Sequence, residues 1–138
     1  MLKEILLVIS ILDGDTIKVL DHNNEQLKVR LASIDAPERK QPFGRKSSMM
    51  LADMIGNEKV ALDCPNKDRY NRWICTITFE GVDINKRMVE FGGAWVCRRY
   101  YSGTEYIAAE EQAKALNRGL WGLSEYERIP PWEWRRAN

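Results

Sequence analysis

Carboxylates and guanidiniums gather in three short motifs within the first 72 residues. The motifs are Asp13-Gly14-Asp15-Thr16, then Arg30 with Asp35-Ala36-Pro37-Glu38, and finally Asp68-Arg69-Tyr70-Asn71-Arg72. Carboxylates without histidine or cysteine partners suit a hard cation such as Ca²⁺ or Mg²⁺. Guanidiniums beside such a cation suit a phosphate group, which they can bind through two parallel hydrogen bonds. Together the two sets predict metal-assisted attack on a phosphodiester.

The bulk composition predicts one ordinary globular domain. The 138 residues are 44% hydrophobic and 30% charged, and the formal net charge is +1. A chain of this length can build a single hydrophobic core, so we treat residues 1–138 as one domain. Proteins that hold nucleic acid by charge alone are usually far more basic. A polyanionic partner is therefore expected to be a substrate that is turned over.

The single histidine and the three cysteines argue against the commonest histidine-based sites. His22 lies in a polar, turn-like stretch, so neither a histidine triad nor a zinc site is expected. Cys64, Cys75 and Cys97 include no Cys-x-x-Cys pair. Their spacing leaves open either buried thiols or one disulfide with a spare cysteine. No segment reads as a transmembrane helix.

The elements that must position these motifs are predicted from periodicity and from turn residues. Strands are predicted at residues 6–10, 16–20, 27–34, 59–62 and 73–79. Helices are predicted at 45–55, 83–91 and 104–116, with glycines near their ends. Pro130 and Pro131 predict that residues 129–134 form no regular helix across the prolines. Strands first and helices mostly later indicate an α+β domain with an antiparallel barrel or sheet.

The motifs and their order resemble the staphylococcal (micrococcal) nuclease, or thermonuclease, family. The resemblance runs from about residue 9 to residue 121 and includes a late Gly-Leu-Trp. It implies an OB-fold, a five-stranded antiparallel β-barrel with three α-helices. It also implies a monomeric, sugar-nonspecific endonuclease that uses one Ca²⁺ ion to hydrolyse DNA and RNA. Such an enzyme expels the 5′-oxygen and leaves 3′-phosphate products.

The resemblance assigns four residues to the metal. Asp15 and Asp35 would bind the ion through carboxylate oxygens, and the backbone carbonyl of Ala36 would help them. Asp13 would lie behind these ligands and contact water around the ion. Carboxylates around a cation restrain its charge, while the cation polarises a phosphoryl oxygen.

Three further residues are assigned to the chemical step. Glu38 would be the general base that takes a proton from the attacking water. Arg30 and Arg72 would hold the phosphate and stabilise the charge that grows on it. Arg72 is also the candidate for assisting the leaving 5′-oxygen.

Four residues are expected to contact the substrate. Tyr70 and Tyr100 match family tyrosines near the bound nucleotide, where an aromatic ring can stack on a base. Arg69 replaces a family lysine and keeps its charge. Arg98 stands where the staphylococcal enzyme has another tyrosine, which puts stacking at that place in question.

Resemblance to secreted nucleases also bears on compartment and cysteine pairing. We expect a secreted or periplasmic protein whose signal peptide is absent from this chain, and the sequence also allows a cytoplasmic location. In an oxidising compartment Cys64 and Cys75, which flank the turn that carries Arg72, are the expected disulfide pair.

Two noncatalytic hypotheses remain as alternatives to a nuclease. One is a family module that binds nucleic acid or methylated peptides, although such modules typically lose the acidic and arginine residues that this chain keeps. The other is an OB-fold that binds single strands, which would favour a more basic surface and would not require the carboxylates.

Overall fold

The computed structural model describes residues 1–138 as eight β-strands and four α-helices. The strands are β1 Leu2–Asp13, β2 Thr16–Leu20, β3 Gln26–Leu31, β4 Ile34–Asp35, β5 Lys59–Lys67, β6 Trp73–Phe79, β7 Val82–Asp83 and β8 Trp95–Val96. The helices are α1 Gly44–Ile55, α2 Ile84–Glu90, α3 Glu105–Ala115 and α4 Pro131–Ala137, with a 3₁₀ turn at Gly119–Gly122.

Five of the strands close into a barrel. Neighbouring strands follow the order β3-β2-β1-β5-β6, and a further pairing of β3 with β6 closes the ring. The other four pairings are antiparallel, whereas β3 and β6 run parallel. The predicted α+β OB-type barrel is therefore confirmed, with one parallel seam that makes it mixed rather than wholly antiparallel.

The barrel is filled by alternate residues of its strands, because successive side chains of a strand point to opposite faces. In β5, Val60, Leu62 and Cys64 are buried while the residues between them are exposed. Helix α1 adds Leu51 and Ile55, both fully buried, to the same core. The packed core thus fixes the ends of the strands, and these ends carry the loops at the rim of the barrel.

The three predicted helices are confirmed, each within one residue of its predicted ends. No helix runs across both tail prolines, but a fourth helix starts at the second of them, so the helix count is four rather than the three that the resemblance implies. Helix α4 begins at Pro131. Proline is tolerated there because N–H groups of the first turn have no partner within a helix. None of the helices has the length and apolar character needed to cross a lipid bilayer.

A disulfide links Cys64 of β5 to Cys75 of β6, which confirms the expected pair. Both cysteines are fully buried, and Cys97 carries a free thiol. The disulfide cross-links the two strands whose connecting turn carries Arg72. It therefore limits how far this turn can separate from the barrel.

Candidate active site

One polar cleft gathers most of the residues that the sequence motifs indicate. Its volume is about 670 Å³. It is lined by Asp13, Asp15, Thr16, Lys28, Arg30, Asp35, Glu38, Arg69, Tyr70, Arg72, Tyr100 and Arg135. Of the predicted site residues, only Ala36 and Arg98 are missing from this lining. Three lining residues, Thr16, Lys28 and Arg135, were not predicted.

The turn between β1 and β2 positions the first acidic motif. The Asp15 carboxylate is buried, and it accepts hydrogen bonds from the Thr16 hydroxyl at 2.9 Å and from the Ala36 N–H at 2.6 Å. Gly14 allows the turn to approach α1, because a Cβ at this position would collide with the Ser47 side chain. The close packing fixes the direction in which Asp15 points.

Arg30 lies between the two buried carboxylates. Its Nη2 is 3.5 Å from Asp15 Oδ2 and 3.5 Å from Asp35 Oδ1. Its Nη1 donates to the carbonyls of Leu31 and Ile34 at 2.6 Å and 2.8 Å. Because both nitrogens are engaged by the protein, the guanidinium is held in one position before any ligand arrives.

Burial and charge push the pKa values of the two turn carboxylates apart. Burial, together with the hydrogen bond and charge of Asp15, raises the pKa of Asp13 to about 7. Burial also acts to raise the pKa of Asp15, but the Arg30 charge and hydrogen bonds from Asp13 and Ala36 outweigh it and lower this pKa. Asp15 is therefore ionised at neutral pH, while Asp13 can hold a proton.

Asp35 and Glu38 share a partner that the sequence did not indicate. Arg135 of α4 donates from Nη2 to Asp35 Oδ2 at 2.7 Å and from Nη1 to Glu38 Oε1 at 2.7 Å. Burial and the charge of Asp15 raise the pKa of Asp35, against the opposing effect of Arg135 and Arg30. Because Arg135 follows Asp35 by 100 residues, no local motif could have revealed the contact.

Arg72 is held by its own turn. Its Nε donates to Asp68 Oδ2 at 2.8 Å, and Asp68 Oδ1 accepts the N–H groups of Tyr70 and Arg72 at 2.9 Å and 3.0 Å. Although burial acts in the opposite direction, these hydrogen bonds lower the pKa of Asp68. Asn71 adopts a left-handed φ of 64°, a conformation that asparagine tolerates. The Asp68 carboxylate thus organises the turn and aims Arg72.

The predicted substrate-contacting residues divide into two groups. Tyr70 and Tyr100 are 64% and 75% exposed at the cleft, and Arg69 donates a hydrogen bond to the Tyr70 hydroxyl at 3.0 Å. Arg98 instead pairs with the buried Glu110 at 2.7 Å. Arg98 does not line the cleft in this structure, and its contact with substrate stays a prediction.

The donor set fits a hard cation. Asp15 and Asp35 offer carboxylate oxygens, and the carbonyl of buried Ala36 accepts no main-chain hydrogen bond. No three side chains of histidine, cysteine, aspartate or glutamate lie close enough together to hold an ion. A cation here would need carbonyl and water oxygens beside the two carboxylates. Ca²⁺ accepts such a mixed oxygen set.

A closed barrel that sets buried carboxylates beside arginines at one cleft has the parts needed to hydrolyse a phosphodiester. Fold and site together thus define the class as a hydrolase suited to nucleic acid.

Comparison with known proteins identifies the family. Residues 28–123 match the family model described as "Staphylococcal nuclease homologue". An uncharacterized endonuclease of Haemophilus influenzae is 41% identical over 94% of this chain and 71% of its own length. A micrococcal nuclease of Shigella flexneri is 38% identical over 95% of this chain and 80% of its own length. The chain therefore belongs to the staphylococcal nuclease family and is a hydrolytic nuclease.

Proposed function

We propose that this nuclease is a Ca²⁺-dependent, sugar-nonspecific endonuclease that cleaves DNA and RNA in the cleft described above. The observation that carries the proposal is Arg30 fixed between Asp15 and Asp35, with Glu38 and Arg72 lining the same cleft. When bound, the ion would supply a Lewis acid that polarises a phosphoryl oxygen and orients water.

The proposed ion site uses three residues of two neighbouring segments. Asp15 and Asp35 would each give carboxylate oxygens, and Ala36 would give its carbonyl. Asp13 would lie behind these ligands and contact water around the ion. One site of this composition would take one ion.

The proposed chemical step divides the work between one carboxylate and two guanidiniums. Glu38, at the partly exposed mouth of the cleft, would take the proton of the attacking water. Arg30 would stabilise the phosphate from its fixed position, so that no reorganisation is needed as charge develops. Arg72 would approach from the opposite wall and assist the leaving 5′-oxygen.

Substrate contacts would come from the exposed wall of the cleft. Tyr70 and Tyr100 are 64% and 75% exposed, so a base could stack on either ring in place of the arginines that lie over them. Arg69 adds a positive charge beside Tyr70. No protein group assigned here needs a 2′-hydroxyl, so both DNA and RNA would be cut.

End-group analysis tests this proposal. Digests of one DNA and one RNA oligonucleotide with Ca²⁺ should both yield 3′-phosphate and 5′-hydroxyl ends. Glu38→Gln, which keeps the size of the side chain, should slow the formation of both products by about 10²–10⁴-fold, the usual contribution of a general base. Products with 5′-phosphates would contradict the proposed mechanism.

We also propose that the protein matures in an oxidising compartment, either outside the cell or in a periplasm. The buried Cys64–Cys75 disulfide supports this, because such bonds persist mainly where thiols are not kept reduced. A monomer is proposed as well, on the resemblance to the nuclease family. Cell fractionation and light scattering test the two statements.

A further inference from the structure

Helix α4 lies over the acidic side of the cleft and brings a fourth guanidinium, that of Arg135, into the lining. Both terminal nitrogens of Arg135 are engaged, one with Asp35 Oδ2 and the other with Glu38 Oε1, each at 2.7 Å. A longer contact joins Arg135 Nη1 to Asp35 Oδ1 at 3.3 Å. Arg135 therefore lies against both oxygens of one proposed metal ligand and one oxygen of the proposed general base.

Three contacts hold α4 in this place. Pro131 is buried, and the ring of Trp132 meets the ring of Trp95 edge-on with 6.4 Å between centroids. Just before the helix, the Ile129 carbonyl accepts a hydrogen bond from the Gln41 side chain. The position of Arg135 is thus set by packing of the tail on the body as well as by charge.

Arg135 differs from Arg30 in how easily it can leave. The side chain of Arg30 is 17% exposed and bonds to two carbonyls within the barrel. The side chain of Arg135 is 47% exposed and belongs to a short helix of seven residues. The guanidinium of Arg135 can therefore leave the cleft without opening the core, whereas that of Arg30 cannot.

We infer that Arg135 is a further residue of the active site, an internal cation that competes with the metal ion for the oxygens of Asp35. The docking of α4 therefore sets the metal affinity of the cleft, and metal binding loosens α4. The inference rests on the proposed function in taking Asp35 to be a metal ligand.

The competition follows from the geometry. A guanidinium and a metal ion that use the same carboxylate oxygens exclude each other, or at least weaken each other by repulsion between like charges. Coupling between two binding events is reciprocal, so each cation lowers the affinity of the site for the other by the same factor. With α4 docked, Glu38 is also held by Arg135 and is less free to accept a proton.

Calorimetric titration with Ca²⁺ on the full chain tests the inference. Arg135→Ala should bind Ca²⁺ about tenfold more tightly than the wild type, a factor within the usual range of site-to-site coupling. Arg136→Ala is the matched control, because it removes the same charge from an exposed neighbour that forms no ion pair. The control should stay within about twofold of the wild type, well below that range of coupling. Equal or weaker Ca²⁺ binding by Arg135→Ala than by the control would overturn the inference.

A reciprocal readout needs no substitution in the site. Ca²⁺ should speed amide hydrogen exchange in residues 131–137 of the wild type, because the ion displaces Arg135. Protection of these residues by Ca²⁺ or unchanged exchange at saturating Ca²⁺ would contradict the inference.

Failure of the inference and failure of the proposed function can be told apart. If the wild type binds Ca²⁺ and cleaves DNA but Arg135→Ala binds no more tightly, only the role of Arg135 is lost. If neither protein binds Ca²⁺, the inference is overturned. Cleavage in the presence of a chelator then decides separately whether the proposed metal dependence is lost too.

Discussion

The two walls of the cleft are built in opposite ways. On the acidic wall Asp15 and Asp35 are 5% and 4% exposed, and Arg30 is fixed between them by the barrel. On the opposite wall Tyr70 is 64% exposed, and Arg72 is held within its own turn, by Asp68 and by the ring of Tyr70 at 5.5 Å. The first wall is part of the folded core, whereas the second is a surface turn.

This difference predicts how substitutions in each wall affect stability and catalysis. Buried charges that neutralise each other affect both stability and chemistry, because removal of one leaves another uncompensated. Charges on an exposed turn affect chemistry and substrate binding with little effect on folding. The acidic wall is thus expected to be preorganised, and the exposed wall to adapt to the substrate.

The largest expected effect is that of Arg30→Ala. Loss of this guanidinium leaves Asp15 and Asp35 facing each other, so the free energy of unfolding should fall by about 3 kcal/mol. Cleavage should also slow by about 10²–10³-fold, as for other preorganised donors to a transition state. Urea unfolding and kcat/KM measure the two effects. An unchanged free energy of unfolding would show that the charge of Arg30 is not needed to stabilise the buried carboxylates of the acidic wall.

Arg72→Ala should lower catalysis without lowering stability. We expect a loss in kcat/KM of about 10²–10³-fold. The free energy of unfolding should change by less than about 0.5 kcal/mol, because the side chain lies at a surface turn. A loss of stability as large as that of Arg30→Ala would remove the distinction between the walls.

Reduction of the disulfide should destabilise the pair of strands, β5 and β6, that carries the exposed wall. A bond that closes a short loop between Cys64 and Cys75 is worth about 3 kcal/mol. The wild type should lose about this much unfolding free energy in reductant. The Cys64→Ala/Cys75→Ala double variant, whose only cysteine is the free Cys97, should lose none. Equal sensitivity of both proteins to reductant would contradict a structural role for the bond.

The smallest expected effect is that of Asp68→Asn. The folded pKa of Asp68 is lowered from 3.8, so its ionisation adds stability at pH values above 3.8 that is lost as the pH falls through the lowered pKa. The stability difference from the wild type should be below about 1 kcal/mol, as for partly exposed ion pairs. It should vanish in acid. Denaturant unfolding at several pH values checks this, and a difference that persists in strong acid would exclude the charge of Asp68 as its cause.

Much of the fold and the site could be predicted from the sequence because it depends on local patterns. Residue periodicity and turn residues predicted the barrel strands and α1 to α3, and the motifs together with the family resemblance predicted nine of the twelve residues that line the cleft. These signals lie within segments of a few residues. The parallel seam between β3 and β6 has no such signal, because it depends on closure of the whole barrel.

The sequence analysis missed features that depend on contacts between residues far apart in the chain. The tail prolines suggested a break, yet Pro131 begins a helix that packs on the body. Arg135 reaches Glu38 across 97 residues of sequence, which no local pattern records.

The most direct test of the account is the metal dependence of cleavage. Purified protein, dialysed against a chelator, should show no cleavage of duplex or single-stranded DNA. Ca²⁺ should restore the activity, and it should do so better than Mg²⁺, because two carboxylates, a carbonyl and waters form the irregular oxygen set that the larger ion accepts. Full activity in the presence of the chelator would contradict the central claim that Asp15 and Asp35 hold a catalytic ion.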